Sequence, residues 1–175
     1  MAGMDNVYTG ANGTLTLATE KTPEGADAQL VWGAYSKTPD IGRVTGVAVR
    51  VETTLQEYYQ IGQRFPVSLN PENIAISGEI DRAYMNGALL FLLLGRGAGP
   101  TAVKEPYVEP TFTMKLTLND PAVPANKAAL ELKGVKFMTW DMDVPENDFV
   151  MESVKFKALT VSVVDSAKPP KFPKG

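Results

Sequence analysis

The fold class of this chain is decided by one stretch, which runs from Gly46 to Gly95: GVAVRVETTLQEYYQIGQRFPVSLNPENIAISGEIDRAYMNGALLFLLLG. Most of the stretch alternates apolar and polar residues as a strand does, and such a strand needs only one buried face. It ends in a short segment that is apolar on nearly every side, and a helix of that kind needs packing partners all round. Since a small domain rarely supplies those partners by itself, the stretch indicates contacts with neighbouring subunits.

Period-two alternation recurs along the chain and predicts antiparallel strands, each with one face in the core and the other in water. The clearest case runs from Thr111 to Leu118, where the apolar residues are Phe112, Met114, Leu116 and Leu118. The same pattern occurs over residues 14–17, 47–52 and 73–80. Alternation on this scale predicts a mainly β fold, an antiparallel β-barrel or sandwich with one flanking α-helix and long loops.

Two later segments change phase partway along a strand. In the first, the apolar residues change register at Lys133 and Gly134, between Leu132 and Val135. In the second, the register of Val154 and Phe156 gives way near Ala158 to one that holds Leu159, Val161 and Val163. A one-residue slip moves the apolar side chains to the opposite face of a strand. Each site therefore predicts either a β-bulge or a strand that passes between two packed sheets.

The apolar segment predicts a helix between Ala83 and Leu94. Asp81 is the expected cap at its start, and Gly95 suits its C-terminal end. Asn86 and Gly87 weaken its first turns.

The remainder is predicted to be loops and arms around a single domain of residues 1–175. Long loops are expected over residues 20–40 and 96–110, an N-terminal arm over 1–12 and an extended C-terminal tail over 165–175. The N-terminus has no charged region followed by an apolar core, which predicts a chain without a secretory signal. The longest apolar run, from Gly87 to Leu94, is far shorter than the ~20 residues that cross a bilayer, so no membrane contact is expected.

Composition excludes most enzyme chemistry. The sequence contains no histidine and no cysteine, which rules out histidine general bases, thiolate nucleophiles and the usual zinc sites. Its 17 basic and 20 acidic residues give a net charge of −3, without the basic footprint of a protein that grips nucleic acid. We therefore expect a protein that is not an enzyme and has no catalytic residues, cofactor or metal site.

One acidic cluster is the best candidate for a cation site. Asp141, Asp143, Glu146 and Asp148 lie within eight residues, and oxygen-rich loops of this kind can hold calcium. Their spacing does not match an EF-hand loop, and a hairpin position favours a solvated acidic turn. The cluster is therefore interpreted as a turn.

The segment from Tyr58 to Tyr84 with the following helix resembles the central region of bacteriophage tail tube proteins. In that family an Ile-Gly-x-Arg-x-Pro turn leads through a strand to a Gly-x-Ile/Phe-x-Arg-Ala step and then to one conspicuous helix. The matching positions here are Ile61, Gly62, Arg64, Pro66, Gly78, Ile80, Arg82 and Ala83.

This resemblance implies a structural virion protein. Tail tube subunits assemble as hexameric rings, and the rings stack into a hollow tube that conducts DNA into the host. The expected partners are further copies of the chain, the sheath in a contractile tail, the baseplate and tail terminator proteins, and DNA in transient passage without tight binding. The expected location is the virion tail, after assembly in the host cytoplasm.

Two groups of residues are predicted to serve the assembly. The helix can pack against its own sheet and against the next subunit, which makes its apolar residues the predicted interface: Leu89, Leu90, Phe91, Leu93 and Leu94. By analogy with tail tubes, the strands expected to line the lumen are Arg43 to Thr54 and Gln60 to Leu69, with Arg50, Glu52, Gln60 and Arg64 facing it.

Two other classes of protein remain open from the sequence. A ring of a contractile injection or secretion system would share the fold and transport protein effectors. A monomeric β-sandwich that binds sugar or calcium would keep the helix inside its own core. An enzyme is third, because histidine and cysteine are missing.

Overall fold

The computed structural model describes residues 8–35, 41–42, 44–99, 108–165 and 171–173. These residues form seven strands and two α-helices, with short 3-10 turns at residues 10–12 and 95–98. The elements are β1 (Gly13–Thr19), α1 (Pro23–Tyr35), β2 (Val44–Tyr58), β3 (Ser68–Ala83), α2 (Ala88–Leu94), β4 (Phe112–Asn119), β5 (Lys127–Asp143), β6 (Met151–Ala158) and β7 (Thr160–Val163). All strand pairs are antiparallel, in the order β1-β4-β5-β6-β3-β2, with β7 beside β5. The predicted mainly β, curled antiparallel fold is confirmed.

The sheet curls into two halves that share one strand. Sheet A contains β1, β4, β7 and the first half of β5, and sheet B contains β2, β3, β6 and the second half of β5. Gly134, where φ is +63°, lies in a β-bulge of the β4–β5 pair. Strand β5 changes sheet just after this bulge, between Val135 and Lys136. The neighbouring strand changes sheet at Leu159, whose N–H donates to the Lys133 carbonyl at 2.9 Å. The first predicted phase slip is therefore a bulge at a crossing between the two sheets, and the second is a crossing.

Gly134 is required at this crossing for two reasons. Its positive φ disfavours any residue with a side chain. A Cβ atom there would also lie 2.5 Å from the Leu159 side chain. With this bend in place, Leu132 before it and Val135 after it both point into the core and are both buried.

The core lies between the two halves of the sheet and follows the predicted alternation. Leu15, Leu17, Phe112 and Met114 are buried from sheet A, and sheet B contributes a second set: Ile76, Ile80, Phe137, Val154 and Phe156. The alternation fails at Val51 and Ile74, which are 53% and 69% exposed, and it fails again at Leu159 and Val163. Val51 lies level with the last β3–β6 pair, Ile76 with Ala158, and Ile74 lies beyond it.

The predicted loop over residues 20–40 is wrong, because residues 23–35 form helix α1. Pro23 occupies the first helical position, where its missing N–H costs nothing. Thr22 acts as the cap: its Oγ1 accepts a hydrogen bond from the Gly25 N–H at 3.0 Å. The described residues therefore contain two α-helices, where the sequence predicted one.

Helix α2 begins at Ala88, five residues later than predicted. Strand β3 continues through Ala83, and the predicted cap Asp81 lies in that strand, paired with Gly46. Asn86 takes the capping role instead, because its Oδ1 accepts the Ala88 N–H at 3.1 Å. The predicted end at Gly95 is confirmed by a hydrogen bond from its N–H to the Phe91 carbonyl.

The remaining predicted loops and arms fall partly outside the described residues. These are residues 1–7 of the N-terminal arm, 36–40 and 100–107 of the two loops, and 166–170 and 174–175 of the tail. Residues 171–173 form no helix or strand, and Phe172 is exposed. In the described part of the chain, no helix is long and apolar enough to cross a membrane.

Candidate assembly surface

A two-stranded ribbon extends from sheet B and is called the hairpin arm here (residues 51–75). It consists of the outer parts of β2 and β3, which pair from Val51 with Ile76 out to Tyr58 with Ser68. Every residue of the arm is exposed. The predicted strand from Gln60 to Leu69 is wrong over residues 60–67, which form the turn at the tip of the arm. Gln60 and Arg64 lie in that turn.

The arm exposes an unusual amount of apolar surface. Ile61 and Phe65 at its tip are 106% and 81% exposed. Further exposed apolar and aromatic residues follow both of its strands: Val51, Leu55, Tyr58, Tyr59, Val67, Leu69 and Ile74. A two-stranded ribbon is marginal in water by itself, and a contiguous exposed apolar patch marks a contact surface. The arm therefore has the character of a surface that another molecule covers.

The pKa of Tyr59, on the arm, is raised above the ordinary value of a tyrosine. Its hydroxyl donates a hydrogen bond to the Glu57 carboxylate, and this bond is the main reason why the pKa of Tyr59 is raised. The phenol therefore stays protonated at neutral pH, and it offers no acid-base chemistry there.

Residues of the same subunit cover two sides of helix α2. Ala88, Leu89 and Leu92 are buried in the core. Phe91 packs against Tyr35 of α1, with ring centroids 5.6 Å apart. The open side carries Leu90, which is half-buried, and Leu94, which is 38% exposed. Among the predicted interface residues, Leu89 thus belongs to the internal core, and Leu90 and Leu94 form an outward stripe at i, i+4 spacing.

A buried polar cluster fixes the junction between β3 and α2. Arg82 is 1% exposed and pairs through its Nε with Oε1 of Glu152, which is 2% exposed. Arg82 also donates to the Ile41 carbonyl at 2.7 Å and contacts Asn86, the residue that caps α2. The second Glu152 oxygen accepts from the Trp140 indole at 2.8 Å. One ion pair thereby ties β3, β5, β6 and the start of α2 together.

Packing beside this cluster explains why position 78, in the Gly-x-Ile/Phe-x-Arg-Ala step, is a glycine. A Cβ atom on Gly78 would lie 2.3 Å from the Ala48 carbonyl oxygen and 2.4 Å from the Phe156 ring. The Phe156 ring therefore lies directly over the Gly78 backbone, and only glycine leaves room for it.

A second ion pair joins the two helices. Arg96 after α2 donates to both carboxylate oxygens of Asp27 on α1, at 2.9 and 3.0 Å. The hydrogen bond to Asp27 is the main reason why the pKa of Arg96 is raised. Sequence reasoning missed this contact because it did not expect α1. The signal that could have found it is Thr22-Pro23, which is a helix start.

The outer face of sheet B is polar and carries two of the predicted lumen residues. Arg50 and Glu52 both point away from the core on β2, and they form an ion pair of 3.5 Å between exposed side chains. The other two, Gln60 and Arg64, lie at the tip of the arm, so the four residues do not form one cluster.

The acidic cluster lies in the β5–β6 hairpin, as its spacing indicated. Asp141 and Asp143 end β5, and Glu146 and Asp148 lie in the connecting loop. Asp148 accepts a hydrogen bond from the Phe149 N–H at 2.7 Å, as turn aspartates often do. No group of three or more potential ligands in the described residues is placed to hold a metal ion.

The fold is similar to that of chains from a phage tail tube and from contractile injection systems. A chain from the sheath–tube complex of the extracellular contractile injection system PVC, in its extended state, matches with a TM-score of 0.58 at 12% identity, over 93% of this chain and 94% of that one. A chain of the anti-feeding prophage baseplate matches with a TM-score of 0.58 at 14% identity, over 92% and 97% of the two chains.

The SPP1 tail tube matches this chain equally well in shape. Its TM-score is 0.58 at 8% identity, over 91% of this chain and 80% of that one. No protein-family model and no curated protein matches the sequence. At these identities the likeness is one of fold.

Proposed function

We propose that this chain is the structural subunit of a phage tail tube. Six copies form a ring, rings stack into a hollow tube, and the tube conducts DNA from the virion into the host. The proposal places the protein in the virion tail after assembly in the host cytoplasm. Its partners are the baseplate, the tail terminator and, in a contractile tail, the sheath.

The observation that carries the proposal is the hairpin arm. It exposes apolar side chains on both strands from Val51 to Ile74. A monomer in water would gain nothing from holding this surface in a regular ribbon, and long exposed edges invite association. A contact with further copies of the same chain covers it at every position of a stacked tube.

The two free edges of sheet B support closure into a ring. At one end of the sheet, β2 pairs only with β3 among the described strands. At the other end, residues 136–143 of β5 pair only with β6 in the same part of the chain. The β2 edge of one copy can therefore pair with the β5 edge of the next. Such a contact joins two different surfaces, and a contact of that kind closes into a ring when the rotation permits.

The open stripe on α2 is the second contact in this proposal. Leu90 and Leu94 lie on the side of the helix that its own subunit leaves uncovered. Against a neighbouring copy, they complete the packing that a helix apolar all round requires. The outer face of sheet B, with Arg50 and Glu52, then lines the lumen.

A tube of a contractile injection system is the second candidate. It is favoured by the likeness to chains of the PVC and anti-feeding prophage particles. The two candidates differ in cargo, which is DNA in one and protein effectors in the other. Capsid genes beside the coding gene would favour the phage tail.

The test is negative-stain electron microscopy of the purified chain over a range of concentrations. Rings and hollow rods are expected. A variant with Ile61→Ser and Phe65→Ser should remain unassembled and still unfold in one cooperative step in urea, because both side chains are highly exposed in the isolated subunit. A parent chain that stays monomeric at high concentration, even with tail components added, would refute the proposal.

Phe149→Ser is the matched control, since Phe149 is 79% exposed on the β5–β6 hairpin and Phe65 is 81% exposed on the arm. Rods should form from the Phe149 variant. Equal loss of rods from both variants would show that general surface hydrophobicity drives assembly, and the specific role of the arm would then be wrong.

A further inference from the structure

The outer face of sheet B carries a row of cations that crosses all four of its strands. The strand registers align Arg50 of β2 with Ser77 of β3, Ser77 with Lys157 of β6, and Lys157 with Lys136 of β5. Strands lie about 4.8 Å apart, so the row is about 14 Å long. It is called the cationic row below, and it consists of three positive side chains and one hydroxyl.

These cations are weakly neutralised within the subunit. Arg50 pairs with Glu52 at 3.5 Å and Lys136 with Glu109 at 3.9 Å, both between exposed side chains, and pairs of that kind contribute about 0–1 kcal/mol. Lys157 forms no ion pair with any carboxylate in the described part of the chain. Lys136 and Lys157 face each other directly across β5 and β6, an arrangement that is unfavourable unless an anion lies between them.

An acidic row lies on the same face, further along the strands. It aligns Asp81 of β3, Ser153 of β6 and Asp141 of β5. Four residues of strand, about 14 Å, separate Ser153 from Lys157. Between the two rows, Glu79 pairs with Lys155, one charge of each sign, so the face changes from cationic through neutral to acidic along the strands.

We infer that the cationic row contacts the phosphate groups of nucleic acid, and that the acidic row keeps this contact weak. The row offers hydrogen-bond donors at every position, and Arg, Lys and Ser side chains are those that commonly bind phosphate oxygens. An open groove of ≈ 630 Å³ adjoins it, with Arg50, Ser77 and Lys157 in its lining. The inference rests on the proposed function, in which this face lines the lumen, and it identifies the cargo as nucleic acid.

The contact has a consequence for the passage of DNA. Arg50 lies on the β2 edge of the row and Lys136 on its β5 edge, so copies joined through these two edges in matching register would extend the row from one copy to the next. Each ring then attracts the backbone at one level and repels it at another, which guides DNA without retaining it.

The experiment measures binding of a short fluorescent DNA duplex by anisotropy across a sodium chloride series. It uses the full chain carrying Ile61→Ser and Phe65→Ser, so that the face is accessible whether or not the parent assembles. A second variant adds Arg50→Gln, Lys136→Gln and Lys157→Gln. The matched control adds Lys115→Gln, Lys127→Gln and Lys133→Gln, which remove the same charge from sheet A.

Weak binding that falls with salt is expected. Removing the cationic row should reduce the slope of log affinity against log salt by up to about 2.7, because each released counterion contributes about 0.9. The control should keep the slope of its parent. An unchanged slope in the row variant, or equal losses in both variants, would overturn the inference.

Two further measurements distinguish a phosphate site from a general anion site and from the tube itself. Polyglutamate that competes as well as DNA would show a site for any anion, and would overturn the phosphate assignment. Rods that form from the parent while the row variant binds DNA normally would refute the inference and leave the proposed function standing. Row-dependent binding by a chain that never forms rods would support the phosphate site and refute the tube.

Discussion

The buried ion pair between Arg82 and Glu152 gives the sharpest prediction for the fold. In Glu152→Ala, the Arg82 guanidinium stays 1% exposed and loses its only carboxylate partner among the described residues, and the Trp140 N–H loses its acceptor. Breaking a buried pair by removing one partner costs about 3–5 kcal/mol. Since small proteins have a urea slope of about 1–3 kcal/mol/M, the unfolding midpoint should fall by at least about 1 M.

The measurement is urea unfolding followed by circular dichroism. It is made in the Ile61→Ser, Phe65→Ser background, because assembly would add to the apparent stability. The variant Arg82→Met, Glu152→Leu removes both charges, and it should lose less than Glu152→Ala because no unpaired charge remains in the core. A loss below about 1 kcal/mol for Glu152→Ala would refute the reasoning, as would a double variant less stable than the single one.

Three further changes test other parts of the structure. Gly78→Ala should lower the free energy of unfolding in urea by about 1–3 kcal/mol, because its Cβ would lie 2.3 Å from the Ala48 carbonyl oxygen. Gly33→Ala is the matched change on α1, where the Cβ position is open, and it should raise the free energy of unfolding by about 0.5–1 kcal/mol. Asn86→Ala should cost about 1 kcal/mol by removing the cap of α2, whereas Asp81→Ala should leave thermal stability near that of the parent; the reverse order would show that Asp81 caps the helix. Leu94→Asp should abolish rods in electron micrographs, and in the Ile61→Ser, Phe65→Ser background it should leave the urea midpoint unchanged, because Leu94 is 38% exposed. Leu89→Asp should prevent folding, and normal rods from Leu94→Asp would show that the open stripe is not an interface.

The strands could be predicted from the sequence because their signal is local. In β4, Phe112 and Met114 alternate with polar neighbours. In β5, a break in the same kind of alternation reveals the register change at Gly134. That change is predicted as either a bulge or a crossing between sheets, since both move the apolar set to the opposite face. The pairing of β5 with both β4 and β6 shows that a bulge and a crossing occur there together, and pairing is not a local property.

The wrong and missing predictions arise where the local sequence signal is weak or where distant residues decide the structure. Sequence patterns miss helix α1 because its apolar residues do not share one side: Ala28 is buried and Leu30 is 73% exposed. The Thr, Pro and Gly content of residues 20–40 also favours a loop. The predicted start of α2 is too early because Asp81 is a good cap, and nothing near it in sequence indicates that β3 continues to Ala83. Arg82 and Glu152 are 70 residues apart, so no spacing rule could pair them.

The crossing of β5 beside Gly134 also determines how the two sheets open. Strand β5 pairs with β4 as far as Val135 and with β6 from Lys136 onward, so neither sheet can separate without releasing part of the other. Amide protons on both sides of Gly134 should therefore exchange with solvent only through global unfolding, and those of the hairpin arm should exchange through local opening. The two sheets are thus expected to open as one cooperative unit, and the hairpin arm separately from them.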